Sequence, residues 1–445
     1  MIMCPTLTQT LGPLFKEDMK IFIGLGDICG YYSQLERGLK NQGVSCVLVN
    51  AYPSREYPRD HRPGVFGKVV EWVAQMRVTC RRGSVQRRFW EILQGLSMLL
   101  LFIYTLFVYD AYIFSGGVTF FWRYDLRLLR ILRKKIIVVF HGSDSRPPYI
   151  NGAVVGTQGS FDVEDCVRET RKIKSMIREV ERSSDITVNH SMASHLHENK
   201  TVNWLSIGVP CNRSDDLNVH SKPDREGQPC VIVHAPTRPG PKGSDQIENA
   251  IDSLKAKGLS IEFIKLIERP NSDVLSAISK CDFVVDELFS DTTMASLASE
   301  AAVLGKPAIV GMCGLETLQK HTEPCMIPPA LVCQPEEIEV SIEKLVLDKE
   351  FRLALGLQAR RFVEQQWSAE EVAKRFIRLL TEDVPDEWWF EPKSIDYLCG
   401  WGLTERRVKE VIRTIVDSYG VAALHLSDKP HLEQAFVEFA CQDDL

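Results

Sequence analysis

The chain alternates short apolar runs with longer amphipathic stretches, beginning at residue 19. MKIFIGLG (19–26) is an apolar run, the turn DICGYY leads into an amphipathic segment over 33–41, and SCVLVN (45–50) is a second apolar run. Runs of this length bounded by turn residues read as buried strands. Strand, glycine turn, helix and strand in that order make a βαβ unit with a parallel sheet. AYIF (111–114) and KIIVVFHG (135–142) add strands, a helical pattern spans 168–183, and DITVNH (185–190) and TVNWLSIG (201–208) close the first half. A connector rich in Pro, Asp, Ser and Asn then interrupts the pattern, which restarts with CVIVHAPT (230–237). Helix over 244–257, strand over 260–268, helix over 272–281, strand over 282–287, helix over 294–305 and strand over 307–311 form a second α/β unit of the same type. The rest is mostly helical, except that 383–402 follows no period, and the last module from 403 reads as two helices around a short strand or turn, a candidate appendage. The expected organisation is a flexible segment 1–18, an N-terminal Rossmann-like domain 19–209, a linker 210–229, a C-terminal Rossmann-like domain 230–375 and a helical extension 376–445.

The longest apolar run, LSMLLLFIYTLFVY (96–109), is short for a membrane span, with Glu91 and Gln94 before it and Asp110 after it, so a buried helix is expected. Its flanks change the electrostatic picture. From 68 to 135 there are twelve Lys or Arg against four Asp or Glu, in a chain of formal net charge -6. That concentration suits peripheral contact with an anionic membrane surface or an anionic acceptor; a solvated helix face is the other reading. The overall charge argues against a general nucleic-acid binder. With 445 residues, 44% hydrophobic and 25% charged, the chain has the composition of an ordinary folded protein rather than a disordered or disulfide-stapled one. Its thirteen cysteines are irregularly spaced, without a CxxC pair, and read as reduced residues of a cytoplasmic protein. The N-terminus lacks the basic start and long apolar run of a signal peptide.

In open parallel sheets ligands collect beyond the carboxyl ends of the strands, and the chemistry-bearing residues fall there. The first loop holds Gly24, Gly26 and Gly30, suited to close backbone approach but lacking dinucleotide-fingerprint spacing; Asn50 stands where an acidic residue would end the second strand. The second, His141-Gly142-Ser143-Asp144-Ser145-Arg146, gathers imidazole, hydroxyl, carboxylate and guanidinium; Ser143 or Asp144 could instead cap backbone N–H groups. The third, 234–245, carries Arg238, Lys242 and Gly243 just before a helix, so that two cations and the helix N-terminus can converge on a diphosphate. Glu300 lies among small residues on a later helix, where it can accept from ribose hydroxyls, and Asp286, Glu287 and Asp291 crowd the loop before it. His190 is placed to line the cleft, whereas His195 and His197 read as surface residues. No compact metal pattern is present, and no metal is assigned.

HGSD at 141–144, HAPTRPGPKGSD at 234–245, CDFVVDEL at 281–288 and EAAVLGKPAIV at 300–310 together resemble the GT-B glycosyltransferases, two Rossmann-like domains facing across a cleft, and in particular the retaining family 4. The likeness runs over about 19–375. It implies a metal-independent transferase with no tightly bound cofactor, taking a nucleotide-diphosphate sugar (UDP- or GDP-linked) as co-substrate and a glycan or lipid-linked acceptor. By resemblance Arg238 and Lys242 hold the donor diphosphate, Gly24, Gly26 and Gly243 approach it, Glu300 binds the ribose, and His141 and Asp144 face the reaction from the N-terminal domain. The family's first glutamate falls eight positions before Glu300, where this chain has Thr292. That departure keeps open a non-catalytic nucleotide-sugar or glycan-binding protein. A sugar-nucleotide epimerase or a phosphorylase would share the same architecture. A transferase of this kind would act in polysaccharide or glycolipid assembly; the reduced cysteines put it in the cytoplasm, and the basic region 68–135 suits contact with the inner face of the membrane.

Overall fold

The computed structural model describes residues 19–52, 63–211, 227–381 and 383–442. The expected segment 1–18 and most of the expected linker 210–229 lie outside the described residues.

The first sheet has seven strands. β1 (Lys20–Leu25), β2 (Ser45–Asn50), β3 (Ala111–Ser115), β4 (Lys135–Val139), β5 (Ile186–Asn189) and β6 (Thr201–Asn203) are parallel, in the spatial order β6-β5-β4-β3-β1-β2. The near-continuous apolar strand sequences follow from burial on both faces. Along β1, Ile21 and Ile23 enter one core with Ala111 and Ile113, while Phe22 enters the other with Tyr112 and Phe114. Helix α1 (Tyr31–Asn41) covers the first of these faces. Helices α2 (Val65–Thr79), α3 (Val85–Val108), α4 (Tyr124–Ile131) and α5 (Val163–Ser183) cover the second. The expected strand over 201–208 stops at Asn203. The Asn203 side chain accepts from the Leu205 N–H at 3.1 Å and starts a short helical turn, an N-cap preference that outweighs the apolar run.

The second sheet has five parallel strands, β7 (Cys230–His234), β8 (Ile261–Lys265), β9 (Phe283–Val285), β10 (Ala308–Gly311) and β11 (Leu331–Cys333), in the order β11-β10-β9-β7-β8. Helices α6 (Ser244–Ala256), α7 (Asn271–Lys280), α8 (Ser296–Val303), α9 (Ile338–Leu347) and α10 (Lys349–Gln366) surround it.

The chain then returns to the first sheet. Helix α11 (Ala369–Leu380), which contains residue 375, packs on α1 so closely that a Cβ on Gly38 would lie 2.0 Å from the Ala369 carbonyl oxygen. β12 (Trp389–Phe390) pairs antiparallel with β6, and helices α12 (Glu405–Tyr419) and α13 (Pro430–Cys441) follow. These last helices are not the separate appendage expected from sequence. Arg407 donates to the carbonyls of Val155 and Gly156, Tyr149 donates to the Leu424 carbonyl, and Lys174 pairs with Asp428 at 2.8 Å. The buried-helix expectation for 96–109 also needs correction: α3 buries Met98, Leu101 and Phe102 but leaves Leu96, Leu99, Leu100, Ile103 and Phe107 exposed.

Candidate active site

A cavity of about 500 Å³ lies between the two sheets, walled by the loops that follow β1, β4 and β5 on one side and β7 and β9 on the other. The carboxyl ends of both parallel sheets therefore face it, as expected for this type of fold.

On the N-terminal side, His141 follows β4 and lines the cavity. Its Nε2 lies 2.9 Å from the Tyr32 hydroxyl, and the Tyr31 and Tyr32 rings meet it edge-on. Burial pushes its pKa down to about 4, so the imidazole is neutral at pH 7. Asp144 does not reach the cavity wall. Its carboxylate accepts from the His141 N–H at 2.9 and 3.1 Å, the capping role that the sequence left as an alternative. It fits only because residue 116 is glycine: a Cβ there would overlap Oδ2 at 1.6 Å. Burial raises Asp144 to about 6, against the backbone N–H groups that lower it.

Arg146 and Asp291 join the two domains across the cleft in a buried ion pair, with the Arg146 guanidinium 5.9 Å from the Trp401 ring. Burial alone would raise the Asp291 carboxyl, but Arg146 brings it below its ordinary value. His190 lines the cavity; its Nδ1 accepts from the Met192 N–H, which leaves the proton on Nε2. Among the described residues five buried polar atoms of the cavity lining have no hydrogen-bond partner: Gln34 Oε1, Arg146 Nε, His190 Nε2, Trp204 Nε1 and Thr292 Oγ1. Burial lowers His190 to about 4.

On the C-terminal side, Lys242 lines the cavity with Nζ 3.3 Å from Asp286 and 3.5 Å from Glu287. Burial works against its charge, but Glu287 and Asp286 outweigh burial and hold the ammonium above the ordinary lysine pKa. Burial raises Glu287, which also accepts from Trp401 Nε1. The His234 ring braces this loop: Nδ1 meets the Val285 carbonyl and Nε2 the Ser244 hydroxyl, each at 2.8 Å. Gly243 has φ 72 and caps α6; a Cβ on it would lie 2.5 Å from the Leu288 Cβ. The start of α8 also opens on the cavity, through Ala295, Ser296 and Ser299; its N-cap Ala295 offers no side-chain cap, and Asp286 Oδ2 instead accepts from the Ala298 N–H at 3.1 Å. Glu300 lies on the same wall, its Oε1 accepting from Asn271 Nδ2 at 2.7 Å.

His141, Lys242 and Glu300 thus share one cavity. Arg238 is exposed and is not part of its wall, since the turn between Pro236 and Pro241 carries its side chain outward. Gly24, Gly26 and Gly243 also lie off the wall; within the glycine loop, residues 28–30 reach it instead. His195 and His197 are fully buried rather than at the surface. They sit on a tight turn after β5, not on a helix, where His195 meets the Tyr397 carbonyl at 2.8 Å and His197 meets Glu181 at 2.9 Å. Trp401 and Asn271 escaped the sequence reading. Trp401 comes from the segment without periodicity, where its glycine neighbours Gly400 and Gly402 were the available signal. Among the described residues no cluster of three or more His, Cys, Asp or Glu is arranged to hold a metal.

No family model matches the chain, and no curated protein does. Solved structures do match. The N-terminal domain of Candida albicans trehalose-6-phosphate phosphatase is 10% identical, with a TM-score of 0.50 over 83% of this chain and 97% of that one. A glycosyltransferase from Rickettsia africae is 13% identical, with a TM-score of 0.48 over 84% of this chain and 100% of that one. Anabaena HepE in complex with UDP is 11% identical, with a TM-score of 0.44 over 82% and 100%. The chain has the GT-B architecture: two Rossmann-like domains facing across a cleft, completed by a helical C-terminal region that returns to the first domain.

Proposed function

We propose that the protein is a glycosyltransferase of the family 4 type. It would move a sugar from a UDP- or GDP-sugar to a hydroxyl of a glycan or lipid-linked acceptor, in polysaccharide or glycolipid assembly at the inner face of the membrane. The observation that carries this reading is the convergence of Lys242, the start of α8 and Glu300 on one interdomain cavity.

In this reading the donor diphosphate lies between the Lys242 ammonium and the first N–H groups of α8, ahead of the Ala298 N–H that Asp286 holds, where the helix dipole favours an anion. Glu300 takes a ribose hydroxyl. The sugar ring extends toward Arg146 Nε, His190 Nε2 and Thr292 Oγ1, each without a partner among the described residues. As the glycosidic bond breaks, negative charge grows on the leaving diphosphate, and the fixed donors around it stabilise the transition state more than the ground state. Neutral His141 stands on the acceptor side of the cleft. The basic stretch 68–135 holds the protein at an anionic membrane surface, close to lipid-linked acceptors. Thr292, in place of the resembled family's carboxylate, favours one second reading, a donor-binding protein without turnover.

The test is release of nucleoside diphosphate from a panel of UDP-, GDP-, ADP- and TDP-sugars with membrane lipid extract as acceptor. Transfer from at least one donor, lost in Lys242→Ala and Glu300→Ala, supports the enzyme. Donor binding without release under every acceptor condition assigns the binding protein instead.

A further inference from the structure

Helix α3 carries two apolar stripes. One faces inward and supplies Met98, Leu101 and Phe102 to the core. On the other side Phe89, Ile92, Leu96, Leu100, Ile103 and Phe107 recur at spacings of three or four and are all exposed, Ile92 by 67% and Phe107 by 85%. A helix on the surface of a soluble protein normally has a single apolar stripe, and single exposed apolar residues are common whereas a continuous row is not. Helix α2 widens the row: Phe66 lies 4.7 Å from Tyr104, and Trp72, itself 55% exposed, lies 5.3 Å from Trp90. Aromatic rings of this kind favour the boundary between lipid headgroups and chains.

The charge on the hairpin is as one-sided as its apolar face. Its tip carries Arg77, Arg81, Arg82, Arg87 and Arg88. Against them stand Glu71, which is buried, and Glu91, which is exposed and paired with Arg87 at 3.0 Å. The tip also has a defined place. Gln94 donates to the Ala51 carbonyl at the carboxyl end of β2, and α3 runs from there down to the start of β3. The first nine residues of α3 therefore project about 13 Å beyond the sheet edge on which the cavity opens. Helix α3 is long and apolar enough to cross a membrane, but its inner stripe is committed to the core, so the helix can lie on a bilayer and not through it.

We propose that the exposed face of the α2–α3 hairpin docks on an anionic bilayer, its apolar row at the level of the upper acyl chains and its arginine tip on lipid phosphates, which turns the mouth of the cleft toward an amphiphilic acceptor. A bilayer suits the face better than a second copy of the chain, which would bring one basic tip to a surface whose described acids, Glu71 and Glu91, are already engaged. The inference rests on the membrane contact proposed above and goes further by assigning that contact to one face.

The experiment is co-sedimentation of the full chain with phosphatidylcholine vesicles, with and without phosphatidylglycerol, at rising salt. The wild type pellets with the anionic vesicles and is released by salt. The variant Ile92→Gln/Leu96→Gln/Leu100→Gln/Phe107→Gln melts at an unchanged temperature and binds at least about tenfold more weakly, four large apolar groups having lost their transfer energy. The variant Arg81→Gln/Arg82→Gln/Arg88→Gln flattens the salt dependence. Should the fourfold variant not fold, brominated lipid reads the same contact in the folded protein: it quenches wild-type tryptophan fluorescence, and Trp72→Phe removes much of that quenching. A wild type that never pellets overturns the membrane reading as a whole. Pelleting that the face variant retains in full, or unquenched tryptophan in bound protein, overturns this face alone. A dimer that forms without lipid and is lost in the face variant assigns the face to a second copy and overturns the proposal.

Discussion

Lys242 is one ammonium facing two carboxylates in a nearly dry site, and it holds its charge because Glu287 and Asp286 outweigh the cost of burial. Removing it leaves two buried acids without their cation. Lys242→Met is expected to lower folding stability by about 3 kcal/mol in urea denaturation, the usual scale for breaking a buried pair from one side. A second residue-scale prediction concerns acid. His141, His190, His195 and His234 all have pKa values lowered from 6.5 to about 4 by burial. As pH falls from 6.5 toward 4 the unfolded chain takes up their protons while the folded chain does not, so stability falls. Asp144 works in the opposite sense, because its folded pKa of about 6 exceeds the ordinary 3.8 and the folded state holds an extra proton in between. Glu287, also raised by burial, acts with Asp144, while His197, His321 and His425, lowered by burial, act with the other imidazoles; the imidazoles outnumber the raised carboxyls and leave a net loss on acidification, to be read as a falling melting temperature between pH 6.5 and 4. A flat profile would mean that these imidazoles are not dry. The sequence showed that His141 and Lys242 would sit beyond strand ends, because a parallel sheet places its loops there. It did not show that Asp144 spends its carboxylate on a backbone N–H, since that depends on the space left by Gly116, far away in sequence.

At the scale of elements, the loop from His234 to Ser244 is held by φ 72 at Gly243 and by the contact of that residue with Leu288. Gly243→Ala meets both the left-handed backbone and the side chain and is expected to cost about 2 kcal/mol in urea denaturation, with weaker nucleotide binding because Lys242 shifts with the turn. Strands were legible because burial on both faces writes continuous apolar runs. Helix α3 was legible as a helix but not in its surroundings: an apolar run says nothing of whether protein, lipid or water meets its outer side. The burial of His195 and His197 was not legible for a related reason: the turn that carries them is covered by residues far away in sequence, such as Tyr397 and Lys429. Residues 383–402 were illegible because their order comes from other elements, such as the pairing of Trp389 with Val202 and the bond from Trp401 to Glu287.

At the scale of the whole molecule, Arg146–Asp291 and Trp401 hold the cleft from both sides, and α11 returns the chain from the second domain to the first. Arg146→Met should loosen this closure and raise the radius of gyration in small-angle scattering, with compactness restored by a bound donor. An unchanged radius would give the pair no part in closure. The proposed transfer requires the interdomain cavity to accept a nucleoside diphosphate against Lys242 and the start of α8. The most direct measurement is isothermal titration of the full chain with UDP-, GDP-, ADP- and TDP-sugars, repeated on Lys242→Ala, Glu300→Ala and Arg238→Ala. The prediction is one-to-one binding of at least one donor, weakened at least about tenfold in the first two variants, each missing a charged contact with the donor, and nearly unchanged in the third. Binding that survives intact in both Lys242→Ala and Glu300→Ala, or the absence of binding by every donor, would contradict it.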